Sequence, residues 1–160
     1  MTDVTALINR LASAGQTVAA AESLTGGLFL AALTEVPGAS QVVRGGMVVY
    51  ATDAKHLLAG VPTQLLLARG PVDSEVARAL AMGARDRLGA TYGVGITGVA
   101  GPTKQDDHPV GEVHCAVVGP MGQTLVSHDF AALGNRPEIR RAACEAAVAL
   151  LDAVSRESTS

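Results

Sequence analysis

The sequence predicts a single-domain α/β fold: helices flanking a layered, mixed sheet, with parallel core strands and a C-terminal antiparallel hairpin. Three observations carry that expectation. Segments with apolar residues at helical spacing alternate with short apolar runs of strand length, the order expected when helices connect the strands of a sheet. Those runs are mostly continuous, the pattern of strands covered on both faces. Finally, residues 110–118 and 125–130 are apolar stretches separated by Gly119-Pro120-Met121-Gly122, which reads as a hairpin.

The elements follow in order. Val4, Leu7, Ile8 and Leu11 form a helix-period stripe ended by Gly15. Residues 17–21 are short and apolar enough for a buried strand, and Leu28, Leu30, Ala31 and Leu33 continue as a helix packed on the sheet. Residues 36–40 are a turn cluster, and 46–50 read as another buried strand. Gly60-Val61-Pro62 breaks the chain, and Pro62 can start a short helix over 63–68. Asp73 or Ser74 can cap a longer helix running to Leu88 and closed by Gly89. A strand over 92–97 ends in the loop 98–102, and a polar segment leads to the hairpin. In the last helix Asn135 and Glu138 resemble a capping box, Pro137 fits the first turn, and Ile139, Ala143, Ala146, Leu150 and Val154 form the stripe. Residues 1–155 make the domain, and 156–160 are expected to fray.

Composition narrows the function. With 160 residues, 48% hydrophobic and 17% charged, the chain supports one domain with a real core. Net charge is −3 and no Lys/Arg cluster appears, so a nucleic-acid or membrane-surface partner is not expected. Two Tyr, two Phe and no Trp leave little for base stacking and require a core of Ala, Val and Leu. Cys115 and Cys144 lack Cys-x-x-Cys spacing and read as buried thiols of a reducing compartment. The N-terminus has no basic-then-apolar signal and no apolar run approaches a membrane span of about 20 residues, so a cytoplasmic location is expected.

Several motifs fail on context. Gly93-Val94-Gly95-Ile96-Thr97-Gly98 matches G-x-G-x-x-G but lies within a strand instead of opening a helix. No Walker sequence exists, and Ala21 stands where a Gly-x-Ser-x-Gly elbow needs glycine. His56, His108, His114 and His128 lack metal-ligand spacing, and the hairpin register sends His114 and His128 to opposite faces. No metal is expected.

The stretch that concentrates chemistry is 19–27, where an apolar strand stops at Glu22-Ser23 and small residues open a helix. Ser23 sits at a strand-to-helix turn, whose free peptide N–H groups near Thr25, Gly26 and Gly27 suit an oxyanion or phosphate. Ser23 or Thr25 as a plain helix cap is the competing reading. A nucleophilic Ser23 needs a base, and a neutral lysine can serve when burial lowers its pKa. Of the two lysines, Lys55 follows a strand into a short helix, whereas Lys104 lies in a polar loop and reads as solvated, so Lys55 is the better choice.

Ala21-Glu22-Ser23-Leu24-Thr25-Gly26-Gly27, Val36-Pro37-Gly38-Ala39-Ser40, Tyr50 with Ala54-Lys55, Gly70-Pro71-Val72 before Glu75-Val76-Ala77, Thr97-Gly98-Val99-Ala100-Gly101-Pro102 and Pro109-Val110-Gly111 occur in the order of the CinA C-terminal-domain family. The chain resembles that family over nearly its whole length. The resemblance implies a nicotinamide-nucleotide amidase, converting nicotinamide mononucleotide (NMN) to nicotinate mononucleotide and ammonia. By motif position it makes Ser23 the nucleophile and Lys55 its base, with Tyr50 and Thr97 in supporting positions. It also implies an arginine near the start of the last helix, for which Arg136 is chosen over Arg140. Arg136 and the glycines Gly98 and Gly101 are then expected to bind the substrate, with Thr25, Gly26 and Gly27 beside the reacting amide. The partner implied is a small pyridine nucleotide, no cofactor is called for, and a homo-oligomer is compatible. Two departures stand out: Leu24 where the family often has cysteine, and Thr103-Lys104-Gln105 where it usually has glycines. The family's larger members carry an N-terminal domain with no counterpart here, so the stand-alone form is expected. The rival reading is a non-catalytic small-ligand or nucleotide-binding domain; only a desolvated, unpaired Lys55 beside Ser23 separates the two.

Overall fold

The two faces of the first strand set the layering. In the computed structural model, which describes residues 1–158, β1 (Val18–Glu22) lies between β2 (Val43–Val48) and β3 (Tyr92–Gly98) and is parallel to both. β4 (Glu112–Gly119) and β5 (Gly122–Asp129) follow antiparallel, giving the order β2-β1-β3-β4-β5. Side chains alternate across a strand. Val18 and Ala20 therefore enter a core with Leu7, Ile8, Phe29, Ile139 and Leu151, on the side of α1 (Val4–Ser13), α2 (Leu28–Thr34) and α6 (Arg136–Glu157). Ala19 and Ala21 face the other way, toward Val49, Ala59, Val76 and Leu80, on the side of α3 (Thr52–Ala59), α4 (Thr63–Arg69) and α5 (Ser74–Leu88). The expected mixed sheet, parallel at its core and closed by a C-terminal hairpin, is the one observed.

Local signals behave as their chemistry requires. Asp73 accepts from the Glu75 N–H at 2.8 Å and starts α5, and Asn135 accepts from the Glu138 N–H at 3.0 Å and starts α6. The hairpin closes at Gly119 and Gly122 and pairs Val113 with His128, so His114 and His128 do project from opposite faces. Several boundaries differ, the hairpin strands among them, at Glu112–Gly119 and Gly122–Asp129. The strand expected at 46–50 runs instead from Val43 to Val48, and half of it is exposed, because β2 is an edge strand with a neighbour on one side only. The last helix continues through Arg156 and Glu157, where fraying was expected; residues 159–160 of that segment lie outside the described residues. Among the described residues no helix is long and apolar enough to cross a membrane. Cys115 and Cys144 are free and buried, and burial pushes their thiols up to about 12 and about 11.

The rejected G-x-G-x-x-G match has a packing role. A Cβ on Gly93 would lie 1.9 Å from the Ala81 carbonyl oxygen, and one on Gly95 would lie 2.0 Å from that of Ala77. These glycines let α5 rest directly on β3, bringing the start of α5 and the end of β3 together. Gly95→Ala would thus force two backbones apart, an overpacking expected to cost about 3 kcal/mol and to lower the Tm by roughly 6–12 °C. An unchanged Tm in a thermal melt would contradict this account of the interface.

Candidate active site

The strand order places a crevice before any side chain is considered. From β1 the chain crosses to β2 on one side and later returns to β3 on the other, so the connections diverge at the carboxyl ends of β1 and β3, where open α/β sheets bind ligands. A cavity of about 430 Å³ occupies that position. Ser23 at the end of β1, Thr97 and Gly98 at the end of β3, Tyr50 and Lys55 beyond β2, and Gly101, Lys104 and Arg136 all line it.

Ser23 and Lys55 meet at its floor. Ser23 follows Ala19 and Ala21 in the alternation of β1 and so faces the α3–α5 layer; its N–H is held by the Ile96 carbonyl at 3.0 Å. Lys55 projects from the first turns of α3 with 1% of its surface exposed, and its Nζ lies 2.9 Å from Ser23 Oγ, 2.8 Å from the Val49 carbonyl and 3.4 Å from that of Tyr50. No carboxylate neutralises it, and desolvation lowers its pKa from 10.5 to about 8. The surroundings fit both protonation states. An ammonium donates to three oxygens, whereas a neutral amine donates to the two carbonyls and accepts the Ser23 hydroxyl proton.

The turn after Ser23 is held from behind, and several expectations change there. The N-cap of α2 is Gly27 in a left-handed conformation without a side-chain cap bond, so neither Ser23 nor Thr25 caps the helix. The cap comes from Glu22, fully buried, whose carboxylate accepts from the N–H groups of Gly27 (3.2 Å), Phe29 (3.0 Å) and Leu30 (3.2 Å). Those donors are thereby unavailable to an oxyanion. The Gly26 N–H bonds to the Ser23 carbonyl, and Thr25, Gly26 and Gly27 do not line the cavity. Thr25 is wholly buried with its hydroxyl unpaired. The N–H groups of Leu24 and Thr25 have no acceptor among the described residues and are the free donors beside Ser23. Arg140 is not in the cavity either: its guanidinium binds the carbonyls of Leu24 at 2.8 Å and Thr25 at 3.1 Å, bracing the turn against α6.

The other expected residues sit on the walls. Thr97, also buried, donates its hydroxyl to the Pro71 carbonyl at 2.7 Å and ties β3 to the segment before α5. Tyr50 is largely exposed, and its hydroxyl accepts from Arg136 Nη2 at 2.7 Å; only its carbonyl meets Lys55. Arg136 also donates to the Gly101 carbonyl. One turn apart on α6, Arg136 and Arg140 share a face and divide the work, the first at the cavity and the second at the turn. Lys104, read from the sequence as solvated, is exposed and also lines the cavity. Among the described residues no group of three or more His, Cys, Asp or Glu is placed to hold a metal ion.

Sequence reasoning missed Glu22 and Arg140 as supports. The signal for Glu22 was an acidic residue directly before a helix start; for Arg140 it was the spacing of four from Arg136.

A family model described as the CinA C-terminal domain matches residues 2–155. Among curated relatives, the chain is 48% identical over 150 residues to a CinA-like protein of Frankia casuarinae, which spans 94% of this chain and 34% of the relative. It is 49% identical over 146 residues to a CinA-like protein of Anaeromyxobacter sp., 91% of this chain and 35% of the relative. The chain thus spans about a third of the length of these relatives. Among solved structures it is similar to the competence/damage inducible protein CihA from Agrobacterium tumefaciens, with a TM-score of 0.88 and 37% identity over 97% of both chains. A CinA superfamily protein from Escherichia coli matches with a TM-score of 0.88 and 30% identity, over 93% of this chain and 87% of the other.

Burial of Lys55 has a stability consequence that needs no substrate. The unfolded chain titrates Lys55 near 10.5 and the folded chain near 8, so stability is lost as pH falls from 10.5 to 8 and the whole cost is present below that window. Lys55→Met removes this dependence, while the carbonyls it leaves unpaired cost the same at every pH. The Tm difference, variant minus unmutated, is expected to be most positive at pH 7 and to shrink toward pH 10. Equal differences at the two pH values would overturn the assigned shift.

Proposed function

The chain belongs to the CinA C-terminal domain family, and on that premise we propose that it is a serine amidohydrolase converting nicotinamide mononucleotide to nicotinate mononucleotide and ammonia by a Ser23/Lys55 mechanism. The observation that carries the reading is the 2.9 Å approach of a desolvated, carboxylate-free lysine to a turn serine inside a cavity. A module that only binds has no use for a buried amine poised near neutrality.

In the mechanism, neutral Lys55 accepts the Ser23 proton and Oγ attacks the carboxamide carbon. The oxyanion that forms is met by the free N–H group of Leu24, which lines the cavity beside Ser23; one such donor is worth about 3–4 kcal/mol in other hydrolases. Collapse expels the amine, which takes its proton from the Lys55 ammonium and leaves as ammonia, and an acyl-Ser23 ester remains. Lys55, neutral again, takes a proton from the water that adds to the ester and passes it to Ser23 Oγ as the carboxylate departs. Val49 and Tyr50 carbonyls hold the amine at Oγ throughout. Arg136, with the Gly98–Gly101 segment, forms the wall for the nucleotide end; its fixed guanidinium suits a phosphate. The reaction calls for no cofactor.

Ammonia release from NMN tests this directly. Ser23→Ala and Lys55→Ala are each expected to lower kcat by at least about 10³-fold, and the double variant little further, because residues acting as a unit are non-additive. Lys55→Arg fails as well, since guanidinium does not release its proton. The unmutated enzyme's kcat/KM should climb with pH through about 8 as the lysine loses its proton. Retention of more than about a tenth of the turnover in Ser23→Ala would exclude covalent catalysis.

A further inference from the structure

The cavity is lined by three cationic side chains, Lys55, Lys104 and Arg136, and by no Asp or Glu. Their amines and guanidinium are not equally available. Lys55 is spent on Ser23 and two carbonyls, and Arg136 is bound to the Gly101 carbonyl and the Tyr50 hydroxyl. The Lys104 ammonium has no hydrogen-bond or ion-pair partner among the described residues and keeps all three donors for whatever enters.

The loop around it is fastened, while Lys104 itself is exposed. The loop that carries it is closed at the base by the Val99 N–H to the Glu112 carbonyl and the Gly111 N–H to the Val99 carbonyl, both at 2.8 Å. Beyond Lys104, Gln105 and His108 exchange backbone hydrogen bonds at 3.1 and 2.9 Å across a tight turn, and His108 Nδ1 meets the Glu112 carboxylate at 3.0 Å. The acids Asp106 and Asp107 belong to that turn and line no part of the cavity. Arg136 grips Gly101 three residues before Lys104, so the fixed and the free cation share one wall.

We propose that Lys104 is the specificity residue of this site, pairing with the phosphomonoester of the substrate beside Arg136. The proposal rests on the amidase reading for the reacting end of the molecule. A phosphomonoester near neutral pH carries close to two negative charges and three acceptor oxygens, more than one side-bound guanidinium satisfies, and a lysine supplies the second charge as a compact donor.

The test compares NMN with nicotinamide riboside, which lacks the phosphate. Lys104→Gln is expected to lower the NMN-to-riboside ratio of kcat/KM about tenfold, through KM for NMN, while Lys104→Arg stays within about threefold of the unmutated ratio. An unchanged ratio in Lys104→Gln overturns the proposal, and so does an unmutated protein that cleaves both substrates equally. If the unmutated protein releases ammonia from neither, the amidase reading fails and calorimetric binding of ribose 5-phosphate decides the subsite alone. A Kd raised about tenfold by Lys104→Gln then supports it; an equal Kd, or no binding to the unmutated protein, overturns it.

Discussion

Everything at the site depends on an amine buried without a counter-ion. Lys55 reaches Ser23 by surrendering water for two backbone carbonyls and one hydroxyl, partners that hydrogen-bond the amine while leaving its charge uncompensated. That arrangement is unfavourable for the cation and tolerable for the neutral base, which is why the pKa falls to about 8. An aspartate in place of either carbonyl would hold the proton on the lysine and abolish its basicity. The absence of Asp and Glu from the cavity lining is thus part of the same arrangement: it leaves the low pKa of Lys55 unopposed and gives Lys104 and Arg136 no acidic neighbour in that lining.

The second constraint is on the turn that presents Ser23. A strand-to-helix junction carries free N–H groups that an anion could use, but here the first N–H groups of α2 are taken by Glu22 from the opposite face of the same strand. Arg140 takes the carbonyls of Leu24 and Thr25. The turn is therefore fastened on two sides by charged groups that never enter the cavity, and the donors left over are those next to Ser23. Alternation along β1 makes this possible. Glu22 and Ser23 are neighbours in sequence yet face different layers, one stabilising the helix and the other facing the lysine.

Close packing links these parts. Gly93 and Gly95 let α5 lie on β3, and Gly83 meets the Ala59 carbonyl at a distance that leaves no room for a Cβ, so α3 is seated against α5. Since α3 carries Lys55, small residues far from the cavity set the depth of its amine. A chain with only two Phe and two Tyr in 160 residues is the compositional trace of that tightness.

Periodicity and turn chemistry were enough to read the α/β class, the hairpin, the caps at Asp73 and Asn135, and the strand-to-helix turn that carries Ser23, because each is a local property of residue type and spacing. What tertiary structure alone decided is which groups share space. It moved Thr25, Gly26 and Gly27 behind Ser23, turned the Tyr50 hydroxyl to Arg136, assigned Arg140 to the turn, and put Lys104 in the lining of the cavity. It also left β2 half exposed at the sheet edge, where apolar residues had suggested burial. The physical reason is common to all of these. Hydrogen-bond partners more than a turn apart, and the choice of central or edge strand, depend on contacts between distant segments, and local pattern carries no record of them.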